Sequence, residues 1–423
     1  MQPKIIALAD CNSFFVSCEK AFNPALARKP VVVLSGNDAC VVSRSPEAKE
    51  IGIQMQAMGT AIKALVDSKG LYIFSHNPAL YRDMSRRVMQ TLAHFCPVVE
   101  VYSVDEAFLD LTGFRHLDLL DYGKQMRQTV DQWTGIPVSI GIAPTKTLAK
   151  IANHLAKADP TTGGVVDLTD NSNLARILAE IPVGQVWGIG RQTAEKLQSR
   201  GIRTALQLQQ ADSNWIRRKF NVVVLRTVLE LGGMACLPVE TTSDPRQGMM
   251  VTRCFGRPVT ELEEMKQAIA THTSRLAEKL RQEGLAAQQL IISMRTNRYA
   301  ATPQYEAAQE VPLQTPSNRT DILLSVALPA AVSIFQSGYQ YYKAGVSAPI
   351  LVEANAVQPS LFDPSPDENG QRLMQVMDQI NRRFGSGQIK YAAVGLKQEW
   401  KSRVAYPSQR YTTCWDELPI VQA

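Results

Sequence analysis

The stretch Val99–Leu111, "VEVYSVDEAFLDL", decides how the chain is read. Its apolar residues have strand character, yet Asp105 and Glu106 stand side by side within it. In one regular strand the two carboxylates would point to opposite faces and could not act together. A tight turn over 103–106 removes the conflict, because strands 99–103 and 107–112 then form a hairpin with both acids at its tip. A third acid, Asp10, ends the apolar run "KIIALAD" and precedes a segment in which Phe14 or Phe15, Cys18 and Phe22 recur at helical spacing. The order strand, acid, helix lets Asp10 meet the two hairpin acids.

Three converging carboxylates repel and raise one another's pKa, so such a cluster needs a counter-ion. Hard oxygen ligands with room for water select Mg²⁺ or Mn²⁺ over zinc. Two such ions would bridge Asp10 and Asp105, with Glu106 on the nucleophile side, an arrangement suited to in-line phosphoryl transfer. Spacing alone leaves a second reading open, a polar hairpin tip with Asp10 as a helix cap. The surroundings shift the balance. The helix start at Asn12-Ser13 offers backbone N–H groups to a triphosphate, and the aromatic pair Phe14-Phe15 sits one turn in. Lys49, Lys146, Lys150 and Lys157 are candidates for the positive charge that nucleotide transfer requires, although each alone also reads as a solvated surface lysine.

Outward from these segments, "PVVVLS" and "ACVVSR" flank "GND" as a hairpin. A short helix starts at Ser45-Pro46 and stops at Gly52. From Asn77 to His94, Leu80, Met84, Val88 and Leu92 keep a spacing of four, which predicts an amphipathic helix. A helix over about 118–133, the strand "IPVSIGIA" and the helix "TKTLAKIANHLAKA" complete a βαββαβ-like order for the first 165 residues, a sheet with helices on one face. Residues 170–235 read as short helices around "VWGIGRQTAEKLQSRGI", and 238–250 as a linker. The block 251–352 mixes strands such as "QQLIISMRT" with a helix carrying Leu262, Met265, Ile269, Leu276 and Leu280 on one face, and has a weak basic bias. Beyond 353 the chain is richer in Pro, Asp, Asn and Gln and reads as a loosely folded tail with short docking segments.

Composition adds bounds. A chain of 423 residues suggests three or four domains. The 45% hydrophobic fraction predicts a folded protein, and 45 Lys/Arg against 39 Asp/Glu mildly favours a polyanionic partner while also fitting an ordinary basic protein. The seven cysteines are scattered, without a C-x-x-C pair, which points to a reducing compartment and away from zinc. No cleavage-site pattern follows the N-terminus and no apolar run nears a membrane span, so a cytoplasmic protein is expected.

Together "ALADCNSFFVSCE", "YSVDEAFLDL" and "GIAPTKTLAKIANHLAK" resemble the Y-family DNA polymerases, the lesion-bypass enzymes. Within them the chain is most similar to the UmuC-type branch, the catalytic subunits of bacterial DNA polymerase V, over nearly its whole length. The resemblance implies an α+β multidomain, right-hand polymerase. A ferredoxin-like palm would occupy 1–24 and 79–168, fingers 25–78, a helical thumb with a helix-hairpin-helix 169–236, a linker 237–250, an α/β little-finger domain 251–352, and a C-terminal tail 353–423.

By position, the resemblance makes Asp10, Asp105 and Glu106 the catalytic carboxylates. With the backbone carbonyl of Cys11 they would hold two Mg²⁺ ions, or Mn²⁺. It puts Ser13, Phe14 and Phe15 at the nucleotide, Phe15 as the steric gate that meets a 2′-hydroxyl, and Lys157 on the triphosphate. Where many relatives carry "Y-E-A-R" this chain reads "P-E-A-K" at Pro46 to Lys49, so Lys49 keeps the charge but lacks the bidentate fork of Arg. "VWGIGRQTAEKL" resembles the thumb motif, with Gly188, Gly190 and Arg191 against a DNA phosphate, although a lone G-x-G also fits a plain turn between helices. In the tail, "QPSLFD" resembles a sliding-clamp peptide with Gln358, Leu361 and Phe362 as anchors, and also reads as a local hydrophobic staple.

The partners implied are primer-template DNA, dNTPs, a processed UmuD-type dimer, RecA and the sliding clamp, with no membrane. The function implied is template-directed, low-fidelity, low-processivity translesion synthesis by two-metal nucleotidyl transfer, within an SOS-type mutagenesis response to DNA damage. Two other readings are an inactive polymerase-like DNA-binding scaffold and a palm-domain nucleotidyl cyclase. The intact acids, gate ring and Lys157 weigh against the first. The helix-hairpin-helix, basic little finger and clamp peptide weigh against the second.

Overall fold

The computed structural model describes residues 4–170, 172–241, 245–357 and 368–418. It divides into two units, one of Met1–Ser35, Cys40–Ser243 and Tyr406–Ala423, the other of Gly36–Ala39 and Asp244–Ala405. In the first unit the chain runs through β1 (Ile6–Cys11), α1 (Phe14–Phe22), β2 (Val31–Leu34), β3 (Val41–Arg44), α2 (Pro46–Glu50), α3 (Gly59–Ile62), α4 (Leu65–Lys69) and β4 (Tyr72–Phe74). It continues through α5 (Pro78–Ala93), β5 (Val99–Val101), β6 (Glu106–Asp110), α6 (Leu119–Thr134), β7 (Val138–Ala143), α7 (Lys146–Ala158) and β8 (Val165–Asp167). Ser45 caps α2 by accepting from the Ala48 N–H with Pro46 in the first turn, and Asn77 caps α5 by accepting from Leu80.

The main sheet has the order β5-β6-β1-β7-β8. One face of it, through Ala7, Ala9, Leu109 and Ile140, buries α1, α5 and α6, with Leu80, Met84, Val88 and Leu92 inward as their spacing predicts. The other face is covered too. Ile6, Leu8 and Phe108 pack with Leu148, Ala149 and Ala152 of α7, so the expectation of helices on one face is corrected. The physical sign was the lack of alternation in β1, buried from Ile6 to Ala9, and in β7, buried throughout, because both faces are covered. At Gly141 the fit is tightest, since a Cβ there would lie 2.1 Å from the backbone nitrogen of Asn153.

The second face is continuous with a helical core formed by α8 (Leu174–Glu180), α9 (Arg191–Gln198), α10 (Ala205–Gln209), α11 (Ser213–Lys219) and α12 (Val222–Leu231). Glu230 of α12, fully buried, locks this helical group to α7. Its Oε2 accepts from the Thr147 N–H and hydroxyl at 2.9 and 2.8 Å, and its Oε1 from the N–H groups of Cys236 and Leu237 at 3.0 Å each.

In the second unit, β9 (Met249–Val259), α13 (Leu262–Gln282), β10 (Leu285–Thr296), β11 (Glu306–Ser317), α14 (Thr320–Ile334), β12 (Tyr341–Ala348) and β13 (Leu351–Glu353) form an antiparallel sheet of order β11-β10-β12-β9, with β13 on β10. Met265, Ile269, Leu276 and Leu280 of α13 join Leu323 and Ala327 of α14 in its core. The tail is not loosely folded across its described part, which corrects the compositional reading. Helix α15 (Glu368–Phe384) carries Asp378, which accepts from Nε and Nη2 of Arg281 at 2.7 and 2.8 Å, and Trp400 is buried beside Phe255 and His272. These anchors are too widely separated to give a periodic signal. Gln358, Leu361 and Phe362 lie outside the described residues. Among the described residues no helix is long and apolar enough to cross a membrane.

Candidate active site

Ser103 builds the acidic hairpin. Its N–H donates to the Glu106 carbonyl at 3.1 Å, while its hydroxyl accepts from the N–H groups of Asp105 and Glu106 at 3.2 and 3.1 Å and donates to Asp105 Oδ1 at 2.5 Å. This is the turn that the adjacent acids required. Strand pairing sets Asp10 directly opposite Glu106, and the Cys11 N–H donates to the Asp105 carbonyl at 2.8 Å. Asp10, Asp105 and Glu106 are thereby brought to one end of the sheet.

Cations already face two of them. Lys157 Nζ lies 2.6 Å from Asp10 Oδ2, and Lys150 Nζ lies 2.8 Å from Glu106 Oε1. Burial pushes the Asp10 carboxyl up to about 6 against the pull of Lys157, and Glu106 and Asp105 push it further the same way. Lys150 also sits 4.8 Å from the Tyr102 ring and 5.5 Å from that of Trp187. A cavity of about 410 Å³ opens beside these groups, lined by Asp10, Glu106, Lys150, His154, Lys157 and Trp187. Among the described residues, no group of three carboxylates, imidazoles or thiols is arranged to grip one ion as the side chains stand.

Of the expected nucleotide contacts, Phe14 has its ring buried in the sheet core at 3% exposure, so only its backbone is left for a ligand. Phe15 is part-buried, with its ring stacked on Tyr81 at 4.5 Å and edge-on to His76 at 5.3 Å. Ser13 has a left-handed backbone (φ 47°), and its carbonyl accepts from the Ser17 N–H and the Ser43 hydroxyl. The Cys11 thiol is buried and pushed well up by burial, which leaves its main chain as the available group. Lys49 is exposed in the last turn of α2 and does not line the cavity. Lys146 is turned onto Glu100.

The sequence placed Lys49 and Lys157 at the nucleotide by resemblance and Lys146 and Lys150 by charge alone, without marking Lys150 as the partner of Glu106. Positions 146, 150 and 157 are four and seven apart, which is one helix face, and that spacing was the available signal. In the 186–197 motif, Gly188 has φ 86°, and a Cβ there would lie 3.0 Å from the Thr227 hydroxyl. Gly190 precedes α9 with open space around its Cα, and Arg191 pairs with Glu195 at the surface.

Comparison with known proteins gives this geometry a context. Residues 9–154 match the impB/mucB/samB family, 171–202 the IMS family HHH motif, 246–361 the impB/mucB/samB family C-terminal domain, and 371–421 a domain of unknown function, DUF4113. The chain is 41% identical to Protein ImpB of Salmonella typhimurium over 99% of its own length and 100% of that protein. It is 42% identical to Protein UmuC of Salmonella typhimurium (strain LT2), covering 98% and 99%. Among solved structures it is similar to a Y-family DNA polymerase chimera, Dbh-Dpo4(243-245)-Dbh, with a TM-score of 0.64 at 19% identity, covering 81% of this chain and 98% of that one. On full-length identity and shared architecture, the chain belongs to the impB/mucB/samB family and has the Y-family DNA polymerase fold.

Proposed function

We infer that the chain is a template-directed DNA polymerase performing low-fidelity translesion synthesis in the SOS-type response to DNA damage. The observation that carries this reading is the pairing of Asp10 with Glu106 and of Cys11 with Asp105, which gathers three carboxylates at a sheet end facing the lysines of α7. An all-oxygen donor set, with one carboxyl pushed up first by burial and further by its acidic neighbours, fits a hard divalent cation. Two Mg²⁺ or Mn²⁺ ions, when bound, supply activation of the attacking oxygen and charge stabilisation on the leaving one.

Asp10, Asp105, Glu106 and the Cys11 carbonyl would hold them. Lys157 and Lys150, released from Asp10 and Glu106, turn to the nucleotide phosphates, where fixed positive charge stabilises the transfer. The N–H groups at Ser13 to Phe15 meet the triphosphate, and the Phe15 ring lies under the sugar. Lys49 gives a single point charge where a forked Arg would grip two oxygens.

In this reading 1–24 and 79–168 form the palm, 25–78 the fingers, 169–236 the thumb and 251–352 the little finger. Gly188, Gly190 and Arg191 approach a DNA phosphate. In the little finger, Arg295 of β10 stands directly opposite Lys343 of β12. Like charges so placed are destabilising, and a phosphate backbone relieves them. The tail meets the sliding clamp, the UmuD-type dimer and RecA, and the protein works in the cytoplasm at the nucleoid.

The test is primer extension by the full chain against Asp105→Asn, with Mg²⁺ and dNTPs on intact and abasic templates, with and without the clamp and partner proteins. Extension by wild type and none by the variant, with primer-template binding retained in both, is the expected result. Binding without extension by wild type in every mixture would instead favour an inactive scaffold.

A further inference from the structure

Behind the Phe15 ring lies a connected set of polar groups that the reaction itself does not use. Glu19 follows Phe15 by one turn of α1 and is 1% exposed. The Tyr81 hydroxyl donates to Glu19 Oε1 at 2.7 Å, and the face of the same Tyr81 ring carries the Phe15 ring at 4.5 Å and 21°. The third member comes from the far end of the chain, where the Ser408 hydroxyl donates to Glu19 Oε1 at 3.1 Å.

Ser408 is itself held. Asn77, the cap of α5, donates to its hydroxyl at 2.9 Å. The Ser75 N–H donates to the Tyr406 carbonyl at 2.7 Å, the Tyr406 N–H donates back to the Ser75 hydroxyl at 3.0 Å, and Tyr411 stacks on Phe22 at 4.8 Å and 7°. The 406–411 segment therefore straps α1 to the start of α5, the two helices that carry the stacked rings. It falls within the stretch that matches the domain of unknown function.

A tyrosine fixed at its hydroxyl has lost the freedom to tilt, and a ring stacked on it is held in one plane. We propose that Glu19, Tyr81 and Ser408 act as a positioning relay for the Phe15 ring, through which the C-terminal strap sets how strictly the nucleotide site rejects a 2′-hydroxyl. This rests on Phe15 being the sugar gate. Tyr81 and Ser408 touch no substrate and act through Phe15 alone, so the predicted change is selective. Ribonucleotide use rises while deoxynucleotide use holds.

The experiment measures kcat/KM for dATP and ATP in single-nucleotide insertion by the full chain with its partner proteins. The Kd ratio for the two nucleotides on the primer-template complex gives a readout independent of turnover. Tyr81→Phe keeps the stacking ring and removes only its hydroxyl, and Ser408→Ala removes the strap's donor. Each is expected to lower the dATP/ATP preference by at least about fivefold, within the range by which small displacements of positioning groups alter rates, with dATP insertion near wild type. Phe15→Ala serves as the control. If Phe15→Ala relaxes sugar selection while Tyr81→Phe and Ser408→Ala keep the wild-type ratio, the relay is overturned and the gate stands. If Phe15→Ala leaves selection unchanged, the gate reading fails and takes the relay with it. If the two relay variants lose dATP and ATP use in equal measure, their role is general packing and the proposal is wrong.

Discussion

Glu19 holds a carboxyl where water cannot reach it, and one of its oxygens, Oε2, is buried with no hydrogen-bond partner. Burial pushes its pKa from 4.5 to about 7, although the hydroxyls of Tyr81 and Ser408 pull the other way. The titratable groups around it are Tyr81 on α5, Tyr411 on the strap and Cys18 on its own helix, all three pushed up by burial and so neutral near pH 7. A raised carboxyl pKa means the native chain binds the proton more tightly than the unfolded one. The stabilisation is full below about pH 4.5 and is lost as pH rises to about 7. Glu19→Gln does not titrate and should therefore gain on wild type by on the order of 3 kcal/mol between pH 4.5 and pH 8, at about 1.4 kcal/mol per pKa unit. Urea midpoints of both proteins at the two pH values check this, and a difference that does not change with pH would refute it. At this scale the hairpin acids were legible because adjacent carboxylates break the two-residue period of a strand. Glu19 was not, since a single acid in a helix carries no sign of being buried.

At the scale of elements, two glycines of one motif separate conformation from contact. Gly188 needs its left-handed backbone and has the Thr227 hydroxyl close by, whereas Gly190 has φ −73° and open space at its Cα. Gly188→Ala should destabilise by about 1–2 kcal/mol for the backbone strain alone. Gly190→Ala should stay within about 0.5 kcal/mol of wild type and, if Gly190 meets a DNA phosphate as proposed, still weaken duplex binding, because the added methyl would stand in the phosphate's way. Denaturant midpoints paired with DNA titrations distinguish the two, and a Gly190→Ala protein with unchanged DNA affinity would remove that residue from the interface. A second test concerns the lock between α12 and α7. In Glu230→Gln the amide nitrogen faces N–H donors in place of an acceptor, a mismatch of about 1–3 kcal/mol for each group left unpaired, read as a lower urea midpoint with an unchanged slope. Helix α7 was legible almost to its ends, from "TKTLAKIANHLAKA" to Lys146–Ala158. Its position on the second face was signalled only by the non-alternating, largely apolar runs of β1 and β7, which a helix-on-one-face order had already claimed.

Across the whole chain the charge excess of 6 is small, so DNA affinity must come from where cations stand. The register that sets Arg295 against Lys343 puts both in the strand positions alternate to the buried Ile292 and Met294. Sequence showed only a weak basic bias in this region, because residues 48 apart become neighbours only once β10 and β12 pair. The same limit hid the tail, whose buried Trp400 and stacked Tyr411 are long-range contacts. If the pair exists to meet phosphates, replacing it should have opposite effects on binding and folding. Arg295→Gln with Lys343→Gln removes two phosphate contacts, so the slope of log K against log salt should flatten by about 1.8, at ~0.9 per contact. The same change removes a cross-strand repulsion and should leave stability unchanged or raise it by up to about 1 kcal/mol. A structural role predicts the reverse, stability lost with the salt slope intact. Titrating a labelled primer-template with the wild-type and doubly substituted chains from low to moderate salt, beside urea unfolding of each, distinguishes the two. Weaker, less salt-sensitive binding in a protein that folds at least as well as wild type assigns Arg295 and Lys343 to the DNA backbone.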